Sequence, residues 1–303
     1  MSKFRAEQTI IDIHGLKIGG QPGQLPTLVI PCLFNPRMKE VSDHKAGVFD
    51  KNRVRVYLER VRKMSESTGS PYAIDVMATT PEAMTRYIEF ITGEPDELPF
   101  LFDAIEPKTR IAAAQLAKSI GVEDRAIWNS LSTTSTEEEF SAVIQNGIVN
   151  VIAQAFDRKD PSPKGSLACL TSKGLLSRVT RSMPKGILID VPVFDVASMG
   201  ATSEALSLVR SELGLPAGCA PANATYQWRE KRTDLLRKNF GSVHAAACVI
   251  MQFSGANYLL IGPIGGATRI FKACAMTDAM IAYAAMTKGV RPLVKTHPIY
   301  SIF

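Results

Sequence analysis

Asn35, Asp103, Asn129, Gln154, Asp190 and Asn223 are the side chains of this sequence whose chemistry and placement could make a site. Asp103 follows Phe100-Leu101-Phe102, Asn129 follows Ile127-Trp128, Gln154 follows Ile152-Ala153 and Asp190 follows Leu188-Ile189. Short apolar runs of this kind read as strands buried on both faces, each ending on a polar group. No lysine ends such a run to form a Schiff base, no histidine is placed as a general base, and no His/Asp cluster suggests a catalytic metal. Chemistry here would need little proton transfer or Lewis acidity from the protein and much from binding. A carboxylate accepts two adjacent N–H groups, and an amide both donates and accepts. Such a set suits a flat, neutral heterocycle with donors and acceptors on its edge, such as a 2-amino-4-oxo pteridine.

The elements that must position these groups recur along the chain. Strands are predicted at 27–31, 72–78, 100–105, 125–130, 149–156, 186–191, 218–223 and 257–263, alternating with helices. Val54, Leu58, Val61 and Met64 form one helical stripe that Gly69 should end, and Thr80-Pro81 reads as a cap followed by a first helical residue. Thr136 and Glu139 have the spacing of a capping box. Ile10 to Ile18 reads as a small hairpin suited to plug a barrel end. Eight strand–helix units in a chain of 303 residues predict an α/β fold, a (β/α)8 TIM barrel forming one domain over 1–303. A doubly wound open sheet is the alternative, but no G-x-G-x-x-G follows the first strand. In such a barrel the site lies at the C-terminal ends of the strands, where the six residues fall.

Each residue also has a purely structural reading. Asp103 would cap the helix starting at Pro107, Asp190 would order its loop, Asn129 would serve a turn and Asn223 would cap a helix. Their convergence on one barrel end favours a site. Asp75, in mid-strand, reads as an interior hydrogen-bonding group, and Cys32 and Cys219 read as core. The turn Gly262 to Gly266 could cradle a phosphate, but with no lysine near it in sequence it reads as packing or rim shaping.

Composition narrows the class. Net charge is +6, with the densest basic group at Arg53, Arg55, Arg60, Arg62 and Lys63, read as a solvated helix face rather than a nucleic-acid groove. No apolar run is long enough for a membrane span, and the start lacks the apolar core of a signal peptide. The five cysteines are scattered, without C-x-x-C or metal spacing, as in a cytoplasmic protein without a structural zinc.

Several blocks together resemble the H-subunit family of tetrahydromethanopterin S-methyltransferase. They are Gly19-Gly20-Gln21-Pro22-Gly23 with Pro26-Thr27, Thr79 to Met84, Arg110 to Ala114, Asp124 to Ile127 with Asn129-Ser130, Gly262-Pro263, and Ala275 to Asp278. The likeness spans almost the whole chain and extends to bacterial methyltransferases of corrinoid-dependent demethylation systems, such as those for glycine betaine. It implies a pterin-binding methyltransferase that moves a methyl group from a methylated corrinoid, carried by a partner protein, to N5 of tetrahydrofolate. Asp103, Asn129, Asp190 and Asn223 match the Asp, Asn, Asp, Asn series of pterin-binding barrels; the first three would hold the ring, and Asn223 would lie near N5 as the catalytic group. A cytoplasmic homodimer is implied, with no bound metal and no nucleic-acid or membrane partner. Two rivals stand beside this: a tetrahydromethanopterin-specific subunit working only inside a larger complex, and a dihydropteroate-synthase-like enzyme.

Overall fold

The computed structural model describes residues 4–236 and 238–302, so that part of the leader reading, at Met1 to Lys3, lies outside the described residues. Eight parallel strands close a barrel: β1 (Leu28–Leu33), β2 (Ile74–Met77), β3 (Phe100–Asp103), β4 (Ala126–Leu131), β5 (Asn150–Gln154), β6 (Gly186–Asp190), β7 (Ala217–Cys219) and β8 (Tyr258–Pro263), each paired with its neighbours in sequence and β8 with β1. The predicted TIM barrel is the observed fold.

Side chains alternate across a strand, so residues two apart share a face. Leu101, Ile127, Ile152 and Leu188 belong to one buried cluster inside the barrel. Two residues later on the same strands stand Asp103, Asn129, Gln154 and Asp190. The same alternation takes Leu28 and Ile30 to Cys32 on β1, and Ala73 to Asp75 on β2. The interior is thus apolar in its lower layers and polar in its top one. A second, larger cluster packs the outer faces of the strands against the helices.

The N-terminal hairpin, Ile10–Ile13 paired with Leu16–Gly19, closes the lower end, and Ile11, Ile13 and Ile18 join the interior cluster. Its two-residue loop, His14-Gly15, has φ of 51° and 83°, the backbone sense that favours a tight hairpin. At Gly19 (φ +111°) a Cβ would sit 2.2 Å from the Thr9 carbonyl oxygen, so only glycine fits there.

The predicted helix ends are found. Asp50 caps Lys51–Thr68 and Gly69 ends it left-handed; Thr80 accepts from the Ala83 N–H; Thr136 and Glu139 form the capping box. Arg62 and Lys63 pair with Glu59, and Arg55 pairs with Glu94, as a solvated face requires.

Three expectations change. The predicted strand over 218–223 is the three-residue β7, because Pro221 starts a helix, Pro221–Lys231, that takes Asn223 into its first turn. The helix expected near 166–182 is two, Pro163–Leu170 and Leu175–Arg181, separated where Gly174 turns left-handed. The polar loop after β1 contains a further small hairpin, Val41–Asp43 with Val48–Phe49.

Candidate functional site at the barrel mouth

Register brings the polar ends level. Asp103 pairs in register with Asn129, and Asp190 with Gln154. The Asn129 Nδ2 donates to Asp75 Oδ1 at 3.5 Å, and the Gln154 Nε2 to Asp190 Oδ2 at 3.4 Å. Cys32 is the register partner of Asp75 on the neighbouring strand. Asp190 is buried, and its Oδ1 has no hydrogen-bond partner. The Tyr258 hydroxyl below is buried and also lacks one.

Electrostatics follows from placing three carboxyl groups, Asp75, Asp103 and Asp190, in one enclosed ring. Burial raises Asp190 to about 6, with the charge of Asp103 adding to the effect and the Gln154 bond opposing it. Burial raises Asp103 to about 6 against the pull of Arg110 and of the Ala104 N–H. Burial and the Asp103 charge push Asp75 well above the usual carboxylate range. The shift favours the protonated form of Asp75, which can donate as well as accept. The ring is rich in acceptors and short of donors. It suits a ligand that brings N–H groups and displaces the water a buried carboxylate would otherwise need.

In sequence the outer support of the ring shows as the capping box of Thr136 and Glu139 and, for Arg110, only as part of the family likeness. Arg110 donates to the carbonyl of Ala104, the residue after Asp103, and pairs with Glu139. Glu139 is itself the third residue of the helix that Thr136 caps. This chain of contacts ties the loop after β3 to the loop after β4. The structural reading of Asp103 fails, since Glu106 is the cap position of the helix from Pro107 and no side chain caps it.

Asn223 does not stand at a strand end. It is exposed in the first turn of Pro221–Lys231, and the cap position is Ala220. Helical spacing of three and seven places it on the face of Tyr226 and Glu230, which line a cavity of about 570 Å³ at the β1 and β8 end of the mouth. Asn35 lines the same cavity, so it is part of the mouth but not of the ring. Asp103, Asn129, Gln154 and Asp190 come together; Asn35 and Asn223 flank them. Asp75 performs the interior bonding expected of it, but its position two residues after interior Ala73 also signals membership of the ring. Among the described residues no helix is long and apolar enough to cross a membrane.

A family model described as the MtrH subunit of tetrahydromethanopterin S-methyltransferase matches residues 6–293. The chain is 33% identical to the H subunit of tetrahydromethanopterin S-methyltransferase from Methanothermobacter thermautotrophicus, over the full length of both. It is 35% identical to the corresponding subunit from Methanococcus aeolicus, covering 99% of each. Among solved structures, a Yersinia pestis dihydropteroate synthase with a bound pterine–sulfa conjugate superposes with a TM-score of 0.61 at 12% identity, over 90% of this chain and 99% of the other. At that identity the likeness is one of fold.

Proposed function

Since the chain belongs to the H-subunit family of tetrahydromethanopterin S-methyltransferase, we propose that its barrel mouth holds a reduced pterin and that the protein moves a methyl group between N5 of that pterin and a corrinoid carried by a separate protein. The observation that carries this reading is the ring itself. Asp103, Gln154 and Asp190 end their strands, Asn129 stands level with Asp103 within the strand between, and Asp190 has a buried oxygen with no partner. The 2-amino and N3–H groups of a pterin edge offer two parallel donors to such a carboxylate.

The relatives' names favour tetrahydromethanopterin, and work as one subunit of a larger assembly, over the tetrahydrofolate acceptor and independent action expected from the sequence. Tetrahydrofolate stands second, because the ring offers partners only to the edge that both pterins share.

The chain's residues would act by holding rather than by proton transfer. Ionised Asp103 and Asp190 accept the pterin N–H groups, and Asn129 bonds the remaining edge. The corrinoid, when its carrier docks, supplies the cobalt–methyl bond. Neutral N5 is already a nucleophile, so alignment of N5 with the methyl carbon is the main contribution. In this reading Asn223 would donate to N5 or accept from it as its protonation changes, and Asn223→Ala should slow transfer more than it weakens binding.

A homodimer, the further expectation from the resemblance, is proposed on the outward faces of helices Phe240–Phe253 and Ala267–Met286. Ile250, Phe253, Met276, Met280 and Tyr283 are between 45% and 71% exposed there. The exposed charges on these helices are Arg269 and Lys272, both in the first two turns of the second, with Lys272 one turn before Met276. Between Met276 and Tyr283 the helix carries no exposed charge, so this apolar stretch can meet its own copy. Helices of 20 and 14 residues are about 30 and 21 Å long, and at about 10 Å each in width the pair spans roughly 500 Å², the greater part of the about 800 Å² per partner of a standard interface. Light scattering should give a dimer that Met280→Glu dissociates; a wild-type monomer at micromolar concentration would remove it.

The test of function is calorimetric titration of tetrahydromethanopterin and tetrahydrofolate into wild type and Asp103→Ala. Binding of a reduced pterin, weakened about 100-fold or more in the variant, is expected. A wild type that binds neither pterin overturns the reading.

A further inference from the structure

The cavity at the β1 and β8 end of the mouth is not used by the pterin edge. It measures about 570 Å³; Tyr57, Tyr226 and the Gly265-Gly266 turn line it, and three cations, Arg37, Lys39 and Arg229, outnumber the two carboxylates there, Glu230 and Glu40, the latter accepting from the Tyr57 hydroxyl. Resting on the pterin reading above, we propose that this cavity holds the arylamine and anionic tail of the substrate, with Lys39 and Arg229 as the groups that meet its carboxylate or phosphate.

Position supports this. Pro263, in the cavity wall, is the register partner of Cys32, which is in turn the register partner of Asp75 in the ring. Neighbouring strands lie about 4.8 Å apart, so the cavity begins within roughly 10–15 Å of Asp103, two to three strands away. An extended ligand with its bicyclic head on the ring therefore reaches the cavity with its tail.

The lining matches the tail's chemistry. The glycine turn runs between two aromatic rings: a Cβ on Gly265 would lie 3.7 Å from the Tyr57 ring, and one on Gly266 would lie 3.7 Å from the Tyr226 hydroxyl. A flat arylamine can stack on an aromatic ring of this cavity wall. Of the three cations, Arg37 is engaged by Glu230. Lys39 makes no ion pair among the described residues, and Arg229 makes none either, its guanidinium lying 4.8 Å above the Phe240 ring. Both are therefore open to an incoming anion. The expectation that no lysine lies near the glycine turn is corrected: Lys39 is distant along the chain but adjacent in the barrel.

The test compares tailed with tail-less pterins. Tetrahydrofolate, tetrahydromethanopterin and 6-methyltetrahydropterin are titrated into wild type, Lys39→Ala, Arg229→Gln and the double variant. Wild type should bind at least one tailed pterin about ten-fold more tightly than the tail-less one. Each substitution should cost that pterin roughly two- to five-fold, less at high salt, and leave the tail-less pterin unchanged. Loss confined to tetrahydrofolate assigns glutamyl carboxylates to the cavity; loss confined to tetrahydromethanopterin assigns the anionic tail of that pterin. Unchanged tailed binding in the double variant overturns the tail placement while the pterin reading stands. Failure of all three pterins to bind wild type overturns both. Circular dichroism checks that the variants, altered only at exposed side chains, remain folded.

Discussion

The two ends of this barrel are built from the same strands and opposite chemistry. At the lower end Ile11, Ile13 and Ile18 pack against Leu28, Ala73, Leu101, Ile127, Ile152 and Leu188. Two residues further along β2 to β6 the apolar layer gives way to carboxylates and amides, one of them with an unpartnered oxygen. The lower end gains stability from every contact. The upper end gives some up, because carboxyl groups held near pKa 6 or above are charged against the preference of their surroundings. Stability and binding are therefore separable by end, and substitutions can test that separation.

The largest effect belongs to the closed end. Ile18 is buried in the hairpin plug, and Ile18→Ala should cost about 2–5 kcal/mol through lost contacts and a cavity. Denaturant unfolding measures this. Pterin affinity per folded molecule should not change; a matching loss of affinity would mean that the plug and the mouth are coupled.

Next comes a substitution with opposite signs at the mouth. Asp190→Asn removes a buried carboxyl whose pKa is raised to about 6 from its ordinary value of 3.8. A raised carboxylate binds its proton more tightly in the folded state. The penalty is therefore fully present above about pH 6 and is relieved as pH falls toward 4. The amide carries no such penalty, so at pH 7 the variant should be more stable by roughly 1–3 kcal/mol, with most of that difference gone by pH 4. It should also lose reduced-pterin binding by about 100-fold. Equal stability in the two proteins at pH 7 would show that the charge is not strained.

The same division explains what is legible in the sequence. The barrel can be read because its strands are continuous apolar runs and its helices carry caps such as Thr80, Thr136 and Gly69. The ring can be read because period two carries Leu101 to Asp103 and Leu188 to Asp190. β7 is hard to read because Ala217-Gly218-Cys219 has little apolar bulk and Pro221 leaves it only three residues long. Lys39 escapes a linear reading because barrel closure, not chain proximity, sets β1 beside β8. Several blocks that carry the family likeness are architectural. Asp278 accepts from the Thr27 N–H and hydroxyl, each at 2.9 Å, and Gly23 leaves room for Ala282, whose Cα a Cβ would meet at 2.8 Å. Those blocks carry the family likeness in the closed end and supports, whereas the proposed pterin ring is made of single residues at the mouth.

The smallest effect sharpens the claim that ionisation at the mouth governs binding. Gln154 donates to Asp190 at 3.4 Å and favours its charged form. Gln154→Leu removes that support while leaving the carboxylate, so the Asp190 pKa should move further above its ordinary range. Because the ligand's N–H groups need the ionised carboxylate, pterin affinity should be full above the Asp190 pKa and fall as pH drops through it. The midpoint of that fall should lie near pH 6 in wild type and higher, by less than about one unit, in the variant, with a stability change under about 1 kcal/mol. Titrations between pH 5 and 8 read the midpoint directly. A midpoint that stays fixed would mean that Asp103, not Asp190, is the carboxylate whose charge the pterin reads, and Asp103→Asn should then abolish the pH dependence that Gln154→Leu failed to move.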